Sequence, residues 1–366
     1  MKKGDRSETI QTPNEDMERI KNRLRRKSGS ENTVLIFEFE IKQFLGYMRQ
    51  KNYNYSDIEK KPTRVMEDFV SWLYDSKYTP STIQLYFGAA RLLLKEHDIK
   101  LTDDDVKDIG LPKRMPFDDE KVSVEQIRRI VFACKHSGLK ILLMLMKDTM
   151  IRPRECVGLQ LKHFNLEYEI PYLIVPYQVT KSKETKELFF TYETKDMLVQ
   201  HLKANRVDNP DDYVFLRKNY KYTDEKDFNK ILNTKVRYCC RIFRYILQKP
   251  EFADMNQVVD RPQTRSIRYK IHPYSFKKFA YTAISDVLSE AAVKSMKGDT
   301  DYALTYYKKS RDERMEDYKK VISKLSVFDS SEDPLLKQKE KTKLLMDNAT
   351  PDQIEKISAI MNGVSL

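Results

Sequence analysis

Apolar residues recur every three or four positions along most of the chain, which is the spacing of one face of an α-helix. Residues 31–100 contain three such stripes, formed in turn by Phe37, Ile41, Phe44, Leu45 and Met48, by Met66, Phe69, Val70 and Leu73, and by Ile83, Phe87, Ala90 and Leu94. We therefore expect a small domain of three helices here. The third stripe leaves an opposite, polar face with Gln84, Arg91 and Lys95.

A second pattern begins after residue 120. Ser123 and Gln126 have the spacing of a helix capping box, and the helix predicted in "LKILLMLMKDTM" is apolar nearly all round, as a core helix is. The stretch "EIPYLIVPYQVTKSKETKELFFTY" is rich in strand-forming residues around a polar break, which predicts a β-hairpin. Residues 121–328 thus form a second domain, and the fold class is mainly α with a small β-hairpin or sheet.

Polar stretches predict the boundaries of these domains. Residues 1–30 form a flexible basic arm, residues 101–120 a linker, and residues 329–366 a short helical tail after a Ser/Asp/Pro cluster.

The charge of the chain favours a polyanionic partner, since 67 Lys and Arg outnumber 55 Asp and Glu to give a net charge of +12. Membrane-spanning and disulfide-rich classes are excluded, because the longest uninterrupted apolar run is "ILLMLM" and the four cysteines lack a CxxC spacing. We expect reduced, buried thiols in a cytoplasmic protein, with no metal and no cofactor.

The candidate chemistry begins at Arg152, in "KDTMIRPRECVGLQLKHFNLE". An isolated arginine at a helix junction is usually a capping or surface residue. Here, however, Arg152 with Glu155 three residues later resembles the first signature of the tyrosine recombinases, the phage-type integrase family. Met150 stands where that family has glycine, and Asn165 stands near its aspartate.

The hairpin "VTKSKETKELFFTYET" resembles the lysine hairpin of the same family and places Lys181 at the position of the catalytic lysine. Three lysines in a solvated turn are the alternative interpretation.

Further on, "HPYSFKKFAYTAI" is similar to the next family motif. Tyr274 occupies the position of the family histidine and Lys277 that of the family arginine, whereas His272 comes two residues too early.

The last two motifs lie near the end of the second domain. In "VKSMKGDTDY" the glycine is Gly298, and Asp299 stands where the family has histidine or tryptophan. The stretch "TYYKKSRDERMEDYKKVISKLSV" is similar to the ending of archaeal integrases. In that register Tyr306 is the nucleophile, Tyr307 is the second member of the pair, and Tyr318 is a packing residue.

The resemblance implies a site-specific DNA recombinase that forms a 3′-phosphotyrosyl intermediate, in the service of an archaeal mobile or viral element. Arg152 and Lys277 would stabilise the non-bridging phosphate oxygens, and Lys181 would protonate the leaving oxygen. It also implies a SAM-like, core-binding N-terminal domain beside a mixed α/β catalytic domain. The partner would be a double-stranded recombination site that holds a homo-tetramer.

Two helix faces are candidates for DNA contact. The helix in "NKILNTKVRYCCRIFRYILQK" buries one apolar stripe and exposes Arg237, Arg241 and Arg244, and the third N-terminal helix offers Gln84, Arg91 and Lys95. A solvated basic face is the alternative for each of them.

Two other functions stay open at this point. The departures at Lys277 and Asp299 fit a DNA-binding protein on the same scaffold that has lost strand cleavage. A helical adaptor for RNA or for an acidic protein would also use a basic surface.

Overall fold

A computed structural model describes residues 14–114, 119–216, 224–259, 267–298 and 309–328. It is mainly helical with a small sheet, as the sequence predicts. The chain divides into two compact units. The first comprises Met1–Asp118 with Val258–Arg268, and the second comprises Asp119–Gln257 with Tyr269–Leu366. In the described part of the chain, no helix is long and apolar enough to cross a membrane.

The first unit is a helical bundle. Its helices are α1 (Asn14–Ser28), α2 (Glu31–Gln50), α3 (Tyr55–Lys60), α4 (Pro62–Asp75), α5 (Pro80–Glu96) and α6 (Asp103–Asp108). Several of their starts follow from local chemistry, because the side chains of Asn54, Thr79 and Thr102 each accept a backbone N–H of the first turn.

Two predicted boundaries of this unit are wrong. The predicted arm, residues 1–30, contains α1, whose Ile20 and Leu24 are buried in the core of the bundle, so residues 14–28 are not a free arm. The predicted linker, residues 101–120, contains α6, and Leu101 and Ile109 beside it are buried in the same core. Only a few apolar residues anchor each segment within a polar stretch, so no long apolar stripe marks either one in the sequence.

Aromatic rings fill the centre of this core. Phe69 is fully buried and lies 4.8 Å from Phe44, 5.0 Å from Tyr47 and 6.0 Å from Trp72, measured between ring centroids. Trp72 is the single tryptophan of the chain, so its fluorescence reports on this unit alone.

The second unit packs helices around a small sheet. Its helices are α7 (Val124–Ala133), α8 (Ser137–Thr149), α9 (Pro153–Val157), α10 (Tyr192–Ala204), α11 (Glu225–Leu247), α12 (Tyr274–Ser285), α13 (Glu290–Lys297) and α14 (Arg311–Leu325), with 3-10 turns at Leu161–His163 and Pro250–Phe252. The capping box at Ser123 and Gln126 is confirmed. Helix α8 is buried nearly all round, as its composition predicts.

The predicted hairpin is part of a three-stranded antiparallel sheet in the order β1-β2-β3, with β1 (Phe164–Asn165), β2 (Tyr172–Val175) and β3 (Lys186–Phe189). Val175 pairs with Lys186 at one end of the hairpin and Tyr172 with Phe189 at the other. Residues 176–185 connect β2 to β3.

One buried charge cluster ties distant parts of the second unit together. Lys147 of α8 is fully buried, and its Nζ lies 2.6 Å from Asp148 Oδ1, 2.6 Å from Glu193 Oε1 and 2.5 Å from the carbonyl oxygen of Leu325. Glu193 in turn accepts the backbone N–H groups of residues 327 and 328. The end of α14 is thereby fixed to α8 and α10.

The prediction of buried thiols is confirmed for Cys134, Cys156 and Cys239, but Cys240 is exposed. Cys240 follows Cys239 directly on α11, and neighbouring residues on a helix point about 100° apart.

Candidate active site at the junction of α9, β3, α12 and α13

Arg152 is held at a sharp junction between two helices. Helix α8 ends at Met150, whose φ of 56° lies in the left-handed region that favours glycine. This conformation explains why glycine suits the position in sequences of this type. The Met150 side chain is almost completely buried, and that burial offsets the strain of its backbone. Arg152 then precedes Pro153, the first residue of α9.

Glu155 fixes Arg152 in two ways. Its Oε1 accepts the Arg152 Nη1 at 2.8 Å, and its Oε2 accepts the Arg152 backbone N–H at 3.0 Å. Burial acts to raise the pKa of the Glu155 carboxyl. The Arg152 N–H and the charges of Lys186 and Arg152 outweigh that effect, and the pKa stays below its ordinary value. Glu155 is therefore an ionised anchor for Arg152.

Lys186 is a further member of this site that the sequence analysis does not select. It opens β3, its side chain is 4% exposed, and its Nζ lies 3.4 Å from Glu155 Oε1. Alternation along "KELFF" is the signal that points to it, because Lys186 falls on the same face of the strand as the buried residues Leu188 and Phe190.

Helix α12 brings Tyr274 and Lys277 to the same place. Burial and the positive charges of Arg152 and Lys297 lower the pKa of Lys277 to about 8. Burial raises the pKa of Tyr274, although the Arg152 charge acts in the opposite direction. The Tyr274 side chain nevertheless remains 46% exposed. The Arg152 charge thus acts on the pKa of both Tyr274 and Lys277, so the structure brings these three predicted site residues together.

His272 stands at the start of α12, in a role of its own. Its Nε2 lies 2.9 Å from Asp119 Oδ2, and its Nδ1 accepts the backbone N–H of Tyr274 at 3.2 Å. Asp119 also binds Lys278 at 2.9 Å. Burial acts to raise the pKa of Asp119, but hydrogen bonds from Lys278 and His272 hold it at about 2. His272 therefore helps to fix the first turn of α12.

The other predicted catalytic residues are not among the contacts described above. Lys181 is exposed on the connection between β2 and β3. Tyr306, Tyr307 and Asp299 fall outside the described residues. Tyr318 is buried with its ring 5.7 Å from that of Phe189, which confirms it as a packing residue.

Helix α11 carries a mixed basic and aromatic face. Arg237 and Arg241 are exposed, and the Arg241 guanidinium lies 5.6 Å from the centre of the Tyr238 ring. The prediction that Arg244 shares this face is wrong. Its guanidinium stacks on the Tyr269 ring and donates to Asn256, so its contacts lie within the second unit.

The polar face of α5 is also partly occupied. Gln84 donates to the Pro112 carbonyl at 2.9 Å and accepts Arg114 Nε at 2.6 Å. Arg91 donates to the Leu101 carbonyl at 2.8 Å, whereas Lys95 is exposed. Gln84 and Arg91 therefore hold the end of the first unit in place.

The site around Arg152 has an excess of positive charge. Among the described residues, four cations contribute to this excess, namely Arg152, Lys186, Lys277 and Lys297. Arg152 and Lys186 act on the Glu155 carboxyl, and Arg152, Lys186 and Lys297 lower the pKa of Lys277. An unbalanced cluster of this kind suits an anion such as a phosphate. Within the described ranges, no group of three His, Cys, Asp or Glu side chains is placed to hold a metal ion.

Comparison with known proteins relates part of this chain to one family. The profile of the Phage integrase family matches residues 120–238. The tyrosine recombinase XerA of Saccharolobus solfataricus is 24% identical over 193 residues, which cover 48% of this chain and 60% of that protein. The chain therefore spans less than two thirds of this curated relative.

Solved structures show the same fold. A lambda integrase (75–356) dimer bound to a COC' core site matches with a TM-score of 0.54 at 11% identity, over 82% of this chain and 96% of that one. The XerH site-specific recombinase in its post-cleavage complex with a palindromic difH substrate matches with a TM-score of 0.51 at 11% identity, over 84% of each chain.

Proposed function

We propose that the chain is a tyrosine recombinase, a site-specific DNA recombinase that cuts and rejoins strands through a 3′-phosphotyrosyl intermediate, since residues 120–238 match the Phage integrase family. It would act on cellular DNA in the cytoplasm, on behalf of a mobile or viral element of an archaeal host. The family and the archaeal relative support this proposal.

The observation that carries the proposal is the cation cluster around Glu155. In phosphoryl transfer, negative charge develops on the non-bridging oxygens, and fixed positive groups aimed at them lower the barrier. Arg152 is preorganised by Glu155 at 2.8 Å and keeps part of its guanidinium exposed. Lys277 adds a second charge from α12.

The other steps are assigned to residues that the family register identifies. Tyr306 attacks phosphorus through its phenolate oxygen, and the 5′-oxygen of the DNA leaves. Lys181, on its exposed connection, supplies the proton to that oxygen. Tyr274 is an additional hydrogen-bond donor beside Arg152. These roles come from the family register and the charges on α9 and α12.

DNA binding is assigned to exposed cations outside the cluster. Arg237 and Arg241 on α11 and Lys95 on α5 are available for phosphate contacts. Gln84, Arg91 and Arg244 act through the local structure that they stabilise. Four copies of the chain on one pair of duplex sites complete the proposed assembly.

A trapping experiment tests the proposal without a defined target sequence. The full-length protein is incubated with a pool of randomised duplexes that each carry one nick, so that a cleaved end diffuses away and the covalent complex accumulates. Complexes that survive denaturation are recovered, their DNA is sequenced, and mass spectrometry identifies the modified tyrosine. We expect the nucleotide on Tyr306 and no complex with Tyr306→Phe.

Other outcomes identify the alternatives. Modification of Tyr307 would reassign the nucleophile. Salt-dependent DNA binding without any covalent complex would favour a DNA-binding protein that has lost cleavage, and absence of DNA binding would favour an adaptor for RNA or protein.

A further inference from the structure

Lys186 is a buried cation to which the proposed mechanism gives no task. Only 4% of its side chain is exposed, and a lysine is rarely buried unless a partner compensates its charge. The residue stands at the end of β3, where Val175 pairs with it across the hairpin.

The head of Lys186 reaches the anchor of Arg152. Glu155 Oε1 lies 3.4 Å from Lys186 Nζ and 2.8 Å from Arg152 Nη1, so one carboxylate oxygen is shared by two cations. The other Glu155 oxygen accepts the Arg152 backbone N–H. Lys186 therefore restricts the orientation of the Glu155 carboxylate. Because Glu155 binds Arg152, the orientation of Arg152 is restricted as well.

The stem of Lys186 lies against the end of α13. Gly298 closes that helix with φ of 67°, and a Cβ added there would lie 2.8 Å from Lys186 Cγ and 2.9 Å from its Cδ. Only a glycine permits this approach without displacement of the lysine. The same side chain thus touches both Glu155 and the residue from which the chain leads to the proposed nucleophile.

We propose that Lys186 is a positioning residue that fixes the Arg152–Glu155 pair relative to the end of α13, so that strand cleavage depends on its charge and length while DNA binding does not. This inference rests on the proposed recombinase function. It includes no contact between Lys186 and DNA, because the lysine side chain is buried.

The test compares Lys186→Met with the matched control Lys183→Met, an exposed lysine on the connection before β3. Single-turnover cleavage and equilibrium binding are measured on a nicked site recovered from the trapping experiment. We expect Lys186→Met to cleave about 10–100-fold more slowly with binding within about twofold, since small misplacements of catalytic groups have effects of this size. Lys183→Met should match the wild type.

A second readout separates positioning from general stability. Lys277 faces Arg152 and Glu155 on α9, Lys186 on β3 and Lys297 on α13. Loss of the Lys186 charge should move the alkaline limb of the cleavage profile to higher pH. A loosened fold would also hydrate Lys277 and raise its pKa, so amide hydrogen exchange in α12 is measured beside the profile and should match the wild type. Lys186→Gln, which retains a hydrogen bond to Glu155, provides the same measurement if Lys186→Met does not fold.

Gly298 supplies the other half of the test. Gly298→Ala should slow cleavage, and its effect should be smaller in a Lys186→Ala background, which removes the Cγ and Cδ that the new Cβ would approach. An unchanged cleavage rate and pH profile in both Lys186 variants would overturn the inference alone. Absence of any wild-type covalent complex would overturn the proposed function and this inference with it.

Discussion

Lys277 differs from an arginine in a respect that matters at the level of single residues, because its ammonium can lose a proton near physiological pH. Its pKa is lowered to about 8 by burial and by Arg152 and Lys297. An arginine at this position would remain charged and could bind two phosphate oxygens at once. Lys277 is therefore a cation that titrates near physiological pH at a position where the tyrosine recombinases have a permanent one.

This difference predicts that DNA binding takes up a proton. A phosphate beside Lys277 stabilises the ammonium and raises its pKa, so above pH 8 the free protein must gain a proton to bind well. We expect affinity for a recovered site to fall about tenfold between pH 7 and pH 9. Titrations followed by fluorescence anisotropy at each pH measure this affinity. Lys277→Arg should remove this pH dependence, and an equal fall in that variant would show that Lys277 is not the group responsible.

At the level of secondary-structure elements, α14 is clamped onto the edge of the sheet. Glu187 of β3 binds Arg311 and Arg314, each at 2.7 Å, and is largely shielded from solvent. Arg311 also lies 4.6 Å from the centre of the Tyr172 ring. Since α14 follows the proposed nucleophile closely in sequence, this clamp fixes the chain on the C-terminal side of Tyr306.

Glu187→Gln should loosen α14. Removal of the charge leaves two arginines without this anion, and we expect a loss of about 1–3 kcal/mol in the free energy of unfolding, with faster amide hydrogen exchange in α14. Urea unfolding measures the free energy of unfolding, and hydrogen-exchange mass spectrometry measures the exchange in α14. The control is Glu316→Gln on the same helix, whose exposed pair with Lys319 should contribute at most about 0.5 kcal/mol. Equal effects of both substitutions would contradict the clamp.

At the level of the whole molecule, the described residues form two separate hydrophobic cores. Cores that do not share side chains can unfold in separate steps. The single tryptophan, Trp72, packs against the first core and contacts Phe69. Tryptophan fluorescence therefore monitors the first unit, whereas circular dichroism reports on the helices of both units.

We expect the denaturation curves from these two probes not to coincide. Phe69→Ala should lower the stability of the first unit by about 3–5 kcal/mol and move the tryptophan transition. Phe243→Ala, a matched substitution in the second core, should move the circular dichroism transition and leave the tryptophan curve in place. Coincident curves that shift together in both variants would mean that the units unfold as one.

The sequence predicts most of this fold because long apolar stripes dominate it. The capping box at Ser123, the core helix α8 and the packing role of Tyr318 agree with the structure. Helix α1 is not predicted, because only two fully buried apolar residues, Ile20 and Leu24, anchor it to the core.

The site is harder to predict than the fold. Motif order identifies Arg152 and Lys277, but local periodicity cannot show which cations turn inward. Arg244 binds Tyr269, distant in sequence, and Lys186 binds Glu155 across the fold. Such partners depend on tertiary packing, which a single helix face or hairpin does not encode.

The buried Lys147 has a consequence for how the protein is made. Its partners include the carbonyl of Leu325 and, through Glu193, the backbone at residues 327 and 328. A growing chain on the ribosome cannot complete this set of contacts until the end of α14 has emerged. The first unit can mature during synthesis, whereas the second unit is completed only after residue 328 has been translated. A chain terminated before Tyr306 would lack both the proposed nucleophile and the completed second unit.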